Sequence, residues 1–256
     1  MSAEFAPPKP AELPVPFMNT RRDWKAALVA LRKLLADGND TVQVFRIMRA
    51  LNAGNGARNY HKLLEAPGGG RIAYRRTELA ELFSDPAFIA SFKPGTVGAA
   101  YRDFLNRTGY SAMGLAEVAN SDNIPHEAEH PYAWFGRRER DIHDIWHVLT
   151  GYQADEPLGE ACLVAFSFAQ TKGLGWAAIA LGASLKARKI TGSWIFAKAV
   201  IEGYRHGKRA EWLSGQDYEQ LMHEPIAQVR RRLKIGDPVR YREAQAWLAA
   251  RGFTGL

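Results

Sequence analysis

The chain has little from which a disulfide, a thiolate metal site or a membrane span could be built. Its 256 residues include one cysteine, Cys162, so neither an internal disulfide nor a multi-cysteine metal site can form. The longest apolar stretches, residues 161–168 and 176–185, are separated by Lys172 and two glycines, and each is shorter than the roughly 20 residues that span a bilayer. We therefore expect a cytoplasmic protein whose contact with a membrane, if any, is peripheral.

The sequence also lacks the motifs of nucleotide and nucleic-acid binding. No glycine-rich flavin or nicotinamide fingerprint is present, and no nucleic-acid motif accompanies the net charge of +7. The basic residues cluster at 137–140, 188–189 and 230–234. These clusters are typical of a solvated surface, and the functional alternative is an anionic ligand or lipid. We predict no nucleic-acid partner.

Alternating strand patterns, internal repeats and low-complexity linkers are absent, and helical periodicity dominates. The sequence predicts an all-α fold, with an extended proline-rich arm over residues 1–18 and one compact multi-helix domain over residues 19–256. Caps are expected at Asn19–Thr20, Asp40, Thr77, Asp85–Pro86 and Thr96.

Helices in the second half of the chain are expected to form an antiparallel hairpin. One helix is predicted from about Trp134 to Gly151, followed by a turn over residues 152–156 and a small-residue helix from Pro157 to about Thr171. An alanine-rich helix, basic amphipathic helices and a last helix opened by Asp237–Pro238 follow.

Two stretches resemble metal-binding motifs, and the first is the literal HExxH of residues 126–130. That motif requires a helix, where residues four apart share a face. Pro125 precedes it and Pro131 follows it, and a residue before proline is disfavoured in helical conformation. We interpret this stretch as a polar loop rather than a zinc site.

The second motif is the run from His143 to His147, well inside a predicted amphipathic helix. The two histidines share a face, and Asp144 can join that face or orient an imidazole. Glu160 is expected level with His147 across the hairpin, because the two lie about 5–6 Å from the turn at about 1.5 Å per residue. Two histidines and carboxylates suit zinc first, with Fe(II), Mn(II) or Mg(II) as alternatives. A metal-free helix pair with an Arg140–Asp144 ion pair is the competing interpretation.

These residues resemble the signature of the coenzyme Q biosynthesis protein-four family. The matching features are His143-Asp144-x-x-His147 followed by Leu149 and Gly151, then Leu158-Gly159-Glu160, with Arg138 and Arg140 before the first histidine. The resemblance extends from about Trp24 to Tyr241, and its central stretch is specific. In the family eleven residues usually separate the second histidine from the glutamate, whereas twelve do here. Glu156 in the longer turn is an alternative ligand, but it lacks the Leu-Gly-Glu context.

The resemblance implies a function in ubiquinone biosynthesis on the surface of a membrane, often as a homodimer. It implies metal-dependent oxidative decarboxylation at C1 of a polyprenylated 4-hydroxybenzoate-type ring, with His143, Asp144, His147 and Glu160 as metal-binding and catalytic residues. The expected partners are the polyprenylated precursor and other quinone-biosynthesis proteins. A non-catalytic lipid-presenting scaffold is the first alternative, and a metal-dependent hydrolase with Glu127 or Asp144 as base is the second.

Three further residues are candidates for contact with the substrate. Arg138 and Arg140 can hold its carboxylate or offset nearby acidic residues, and Trp146 can stack on the ring or fill the core. The helix over residues 158–170 and the region near 176–182 can line a channel for the prenyl tail or simply allow close helix packing. Cys162 is expected to be a small buried hydrophobe.

Overall fold

The computed structural model describes residues 21–120 and 130–253, which form helices joined by short connections. Within these residues no β-strand occurs, and the β-type pairing is an isolated bridge between Thr96 and Pro225. The predicted all-α class is therefore confirmed, while the predicted arm, residues 1–18, lies outside the described residues. No helix in the described part has the length and apolar character needed to cross a membrane.

The helices are, in chain order, α1 (Trp24–Ala36), α2 (Thr41–Leu51), α3 (Asn55–Glu65), α4 (Gly69–Arg75), α5 (Leu79–Leu82), α6 (Pro86–Ala90), α7 (Val97–Thr108), α8 (Gly114–Asn120), α9 (Pro131–Asp141), α10 (His143–Thr150), α11 (Pro157–Thr171), α12 (Leu174–Thr191), α13 (Ile195–Arg209), α14 (Tyr218–Leu221), α15 (Ile226–Arg232) and α16 (Val239–Ala249). A 3₁₀ turn, Leu213–Gly215, lies between α13 and α14.

Two predicted helix starts are confirmed by their hydrogen bonds, whereas Asp40 makes no side-chain cap bond to α2 and the residue before α5 is Glu78 rather than Thr77. The Asp85 side chain accepts from the backbone N–H of Ala87 at 2.9 Å, with Pro86 at the first helical position of α6. Thr96 caps α7 by accepting from Ala99 N–H at 3.2 Å. Such caps can be predicted from the sequence because each involves residues only two or three positions apart.

Two helices in the first half of the fold, α3 and α4, were not predicted from the sequence, and they occupy most of the region between α2 and α5. Both helices follow a glycine in left-handed conformation, Gly54 and Gly68, and this glycine-rich stretch resembles a loop in sequence. At the start of α1 the cap is Asp23, which accepts from Ala26 N–H at 2.9 Å.

The prediction of a single helix from about Trp134 to Gly151 was also wrong, because the structure has two helices here, α9 and α10. The chain turns at Ile142, whose ψ of −2° ends α9 and begins α10. Ile142 is fully buried, and Asp141 beside it accepts from the backbone N–H of Ala80 at 3.2 Å. Neither proline nor glycine marks the break, so local sequence could not reveal it. As a result, His143 lies in the first turn of its own short helix.

The centre of the fold is α11, which is buried on nearly all sides. It packs most closely on α13, where a Cβ on Gly203 would lie 2.4 Å from the Cys162 carbonyl and one on Gly207 would lie 2.5 Å from the Phe166 carbonyl. Cys162 is fully buried, and burial raises the pKa of its thiol well above the usual value. The expectation of a buried, unreactive cysteine agrees with this. These close contacts fix α11 relative to α13.

A partly buried carboxylate, Glu139, should make the stability of the fold depend on pH. It accepts from Asn59 Nδ2 at 3.2 Å and Ser214 Oγ at 3.1 Å, and desolvation raises its pKa from 4.5 to about 7. Between those values the unfolded chain has released a proton that the folded protein still holds. The contribution of Glu139 to the free energy of unfolding therefore falls as pH rises through this window and is constant above it.

Glu139→Gln should remove this loss, which amounts to about 2–3 kcal/mol. Denaturant unfolding of both proteins at pH 5 and pH 8 measures it. The free energy of unfolding of the variant, taken relative to that of the wild type, should be higher at pH 8 than at pH 5. The same difference between variant and wild type at both pH values would contradict the prediction.

Candidate metal centre

Three side chains from α10 and the first turn of α11 converge on one point. One ligand atom each from His143, His147 and Glu160 lies within 4.8 Å of the others, a grouping that could hold a metal ion. His147 Nε2 is 3.2 Å from Glu160 Oε1, and His143 Nε2 is 3.6 Å from Glu160 Oε2. The predicted meeting of the His143–His147 face with Glu160 across the turn is therefore what the structure shows.

The hydrogen bonding of His147 indicates that its Nε2 atom is available as a ligand. His147 is 2 % exposed, and its Nδ1 lies 2.8 Å from the carbonyl oxygen of Tyr152. Because a carbonyl can only accept, Nδ1 carries the proton and Nε2 presents a lone pair in the neutral ring. Nε2 is buried without a hydrogen-bond partner and faces a carboxylate oxygen. A lone pair aimed at a carboxylate requires a cation, either a proton or a metal, between them.

The pKa shifts express the same preference for a cation. Desolvation alone would lower the pKa of His147, but the Glu160 carboxylate outweighs it and raises that pKa. Desolvation would raise the pKa of Glu160, yet His147 and His143 hold it well below its usual range. Metal–ligand bonds of about 2.0–2.2 Å place neighbouring ligand atoms of a tetrahedral site about 3.3 Å apart, close to the two observed separations. These residues therefore fit a divalent metal.

One side of the site is open. The Glu160 side chain is 42 % exposed, whereas that of His147 is 1 % exposed. With three protein ligands, a tetrahedral zinc would keep one position free, which is the arrangement of catalytic rather than structural zinc sites.

Asp144 lies beside this group but is not part of it. Among the described residues, the converging ligand atoms belong to the two histidines and Glu160 alone. Asp144 is 9 % exposed, and burial raises the pKa of its carboxyl while His143 and His147 oppose the shift. Its role as a metal ligand stays a prediction, and so does the alternative that it orients an imidazole.

Aromatic rings flank both imidazoles. Trp176, at the start of α12, stacks on His143 with 5.9 Å between ring centroids and 8° between planes. Phe104 of α7 stacks on His147 at 6.3 Å and 15°. Tyr110 packs edge-on against Phe104 with 6.0 Å between ring centroids, and burial followed by the charge of Glu160 raises its pKa. Trp176 was predicted only as part of a region that could line a channel, and Tyr110 was not predicted, since both reach the site from elements distant in sequence.

The aromatic residue that the sequence analysis placed at the substrate, Trp146, is in the core. It is 2 % exposed, and its Nε1 donates to the hydroxyl of Tyr218 at 2.7 Å. Its ring also packs edge-on against Phe166. These contacts support the buried-aromatic alternative for Trp146.

The two arginines make contacts with other parts of the protein. Arg138 is 3 % exposed and donates to the carbonyl of Gln216 at 2.5 Å, while Arg140 pairs with Asp141 at 2.7 Å. The Arg140–Asp144 pair expected for a metal-free helix is replaced by this neighbouring pair. Contact of either arginine with a substrate stays a prediction.

The HExxH stretch falls mostly outside the described residues, which resume at His130. His130 is extended, with φ of −130° and ψ of 138°, and its Nδ1 accepts from Tyr132 N–H at 3.2 Å as the cap of α9. The expectation that Pro131 keeps His130 out of a helix is met. His126, Glu127 and Glu129 lie outside the described part.

The turn between α10 and α11 packs tightly against the start of α11. A Cβ on Gly159 would lie 1.9 Å from the carbonyl oxygen of Gln153, so only glycine allows the turn to lie on the first turn of α11. Glu156 is the other candidate ligand, but its carboxylate accepts from the hydroxyl of Tyr241 on α16. The structure thus brings Glu160 rather than Glu156 to the histidines.

A family model described as coenzyme Q (ubiquinone) biosynthesis protein Coq4 matches residues 40–239. The match covers most of the chain and includes all three converging side chains. The chain belongs to this family. The resemblance found in the His143–Glu160 signature is thereby confirmed.

Two relatives of this chain are fungal proteins, each named as a mitochondrial ubiquinone biosynthesis protein. The one from Podospora anserina is 28 % identical over 189 residues, covering 71 % of this chain and 58 % of the relative. The one from Neurospora crassa is 28 % identical over 188 residues, covering 71 % and 50 %. This chain thus spans about half to six-tenths of the length of these curated relatives.

A crystal structure from Nostoc punctiforme, of a protein named for ubiquinone biosynthesis, shares the fold of this Coq4 family chain. It superposes with a TM-score of 0.62 at 21 % identity, covering 84 % of this chain and all of the other. At this level of identity the likeness concerns the fold.

Proposed function

We propose that this Coq4 family chain acts in ubiquinone biosynthesis as a metal-dependent oxidative decarboxylase. The proposed substrate is a polyprenylated 4-hydroxybenzoate-type ring, whose C1 carboxylate is replaced by hydroxyl. The observation that carries the proposal is the buried lone pair of His147 Nε2, aimed at Glu160 within a three-ligand group that has one open side. Family membership supplies the pathway.

His143, His147 and Glu160 would hold the ion, with zinc favoured by the nitrogen and oxygen ligands and Fe(II), Mn(II) or Mg(II) as alternatives. When bound, the ion supplies Lewis acidity that stabilises negative charge on the carboxylate or phenolate. The overall change balances when the carboxylated ring, dioxygen and water give the hydroxylated ring, carbon dioxide and hydrogen peroxide. The ring loses two electrons as its C–C bond breaks, and dioxygen accepts them.

The protein's own residues define where such a ring would lie. Trp176 is partly buried and stacks on His143, so it would hold that imidazole in place beside the ion. Tyr110 is 45 % exposed, and its hydroxyl donates to the carbonyl of Ala154 at 3.5 Å, a contact that it would exchange in order to donate to a substrate. Tyr152 holds the His147 ring in the tautomer that leaves Nε2 unprotonated.

Turnover by the purified protein tests the proposal. The apo protein is reloaded with zinc or Fe(II) and given the carboxylated ring, labelled in the carboxyl carbon, under oxygen. Labelled carbon dioxide and the C1-hydroxylated product should form together. His143→Ala should lower kcat/KM by about 10³-fold or more, because several kcal/mol of charge stabilisation are lost.

His61→Ala is the matched control, because His61 contacts Tyr132 on another part of the surface. It should retain wild-type turnover. Should no metal form of the protein release carbon dioxide, while the gene still restores ubiquinone to a deletion strain, the decarboxylase proposal fails and the lipid-presenting scaffold replaces it. Hydrolysis of an ester analogue without oxygen would favour the hydrolase.

A further inference from the structure

The short segment 151–156 connects the two helices that carry the candidate metal ligands. Its backbone touches a ligand residue at each end. The carbonyl of Tyr152 accepts from His147 Nδ1 at 2.8 Å, and the carbonyl of Glu156 accepts from the backbone N–H of Glu160 at 3.2 Å. The position of this segment therefore sets both the orientation of the His147 ring and the start of the helical turn that carries Glu160.

A tyrosine from the last helix, Tyr241 of α16, binds this segment at two points. Its hydroxyl accepts from the backbone N–H of Gln153 at 3.1 Å and donates to the carboxylate of Glu156. Gln245, one turn later, donates to Glu156 Oε2 and to Gln153 Oε1 at 3.2 Å each. Tyr241 is 2 % exposed, and its ring packs edge-on against Tyr152 with centroids 5.3 Å apart.

Helix α16 is itself held in place near this contact. The Glu202 carboxylate on α13 accepts from the backbone N–H groups of Arg240 and Tyr241 at 2.8 and 3.3 Å, which satisfies two free donors at the start of α16. Pro238 lies against Gly151, where a Cβ would be 3.6 Å from the proline ring. Since α13 is packed closely on α11, Tyr241 ties the segment to the same rigid pair of helices that carries Glu160.

We propose that Tyr241 is a positioning residue for the metal centre. Its hydroxyl fixes segment 151–156, and through that segment it orients His147 and Glu160 toward one ion. This inference rests on the proposed metal site. Groups that hydrogen-bond to metal ligands and orient them typically contribute about 10–100-fold to metal affinity. Tyr241 acts less directly, because it contacts the backbone segment that in turn contacts the ligands.

Tyr241→Phe tests the inference, because it deletes the hydroxyl and keeps the ring against Tyr152. Zinc affinity of the full chain is measured by competition with a chromophoric chelator, and cobalt(II) substitution reports ligand geometry through its visible absorption. The variant should bind zinc about tenfold more weakly and show an altered cobalt spectrum. Glu156→Ala should also weaken binding, and the loss in the double variant should be smaller than the sum of the two single losses, since the two residues share the Tyr241–Glu156 hydrogen bond. Glu156→Gln keeps an acceptor for Tyr241 and should bind within about threefold of wild type.

Asn59→Ala is the control for a general loss of stability. Asn59 is 4 % exposed and donates to the carbonyl of Thr171 and to Glu139, at the opposite end of α11, about 16 Å from Glu160. Its zinc affinity and cobalt spectrum should match the wild type.

Two sets of outcomes separate the inference from the proposed function. Wild-type affinity in Tyr241→Phe, or an equal loss in Asn59→Ala, overturns the positioning role and leaves the metal site standing. Tighter binding in Tyr241→Phe also overturns it, because it would mean that a released Glu156 coordinates the ion. If the wild type binds no zinc, or His143→Ala binds as well as wild type, the metal site fails and the inference fails with it.

Discussion

Glu160→Ala should lower the affinity of the protein for zinc by about 10²–10³-fold. An apparent zinc-binding free energy of about 10–16 kcal/mol shared among four ligands corresponds to roughly 3 kcal/mol per ligand. Glu160 is the residue that both histidines face, at 3.2 and 3.6 Å, so its removal leaves a two-histidine site. Isothermal titration of the apo protein with zinc measures the effect.

Asp155→Ala is the matched control for Glu160→Ala. Asp155 is an exposed carboxylate five residues earlier, paired with Arg107 at 3.4 Å, and its loss should leave zinc affinity unchanged. Equal affinities for wild type and Glu160→Ala would show that zinc binds elsewhere or that Glu160 is not a ligand.

Gly159→Ala should destabilise the protein although alanine is the better helix former. In an exposed helix this change stabilises by about 0.5–1 kcal/mol. Here the new Cβ would lie 1.9 Å from the Gln153 carbonyl oxygen and 2.7 Å from its nitrogen, and both are backbone atoms that cannot turn aside. Either the segment or the helix must move, which costs about 1–3 kcal/mol. The melting temperature should fall by about 3–10 °C, and zinc affinity should fall with it.

Gly136→Ala is the control, and it should stabilise the protein rather than destabilise it. Gly136 lies inside α9, and a Cβ there would have no neighbour within 4 Å. This variant should melt about 1–3 °C above the wild type, with unchanged zinc affinity. A stabilised Gly159→Ala protein would show that the turn does not lie on α11 as described.

The core of the candidate site could be predicted because it depends on short-range geometry. His143 and His147 are four residues apart, and this spacing places them on one face of α10 even though the helix is shorter than predicted. Glu160 follows from counting residues on both sides of the turn, where Pro157 marks the start of α11. The turn over residues 152–156 brings Glu160 to both histidines.

The rest of the site could not be predicted because it depends on contacts between distant elements. Trp176 reaches His143 from the start of α12, and Tyr241 reaches Glu156 across 85 positions of sequence. Trp146 lies inside the motif, yet its partner Tyr218 is 72 positions away and holds it in the core. The break at Ile142 likewise has no proline or glycine to mark it, and Ile142 is fully buried.

Diffraction at the zinc absorption edge, from crystals grown with equimolar zinc, tests the central assignment most directly. One anomalous peak should lie between His143 Nε2, His147 Nε2 and Glu160, about 2.0–2.2 Å from each ligand atom. A peak elsewhere, or full zinc loading with no peak at these three side chains, would contradict the account.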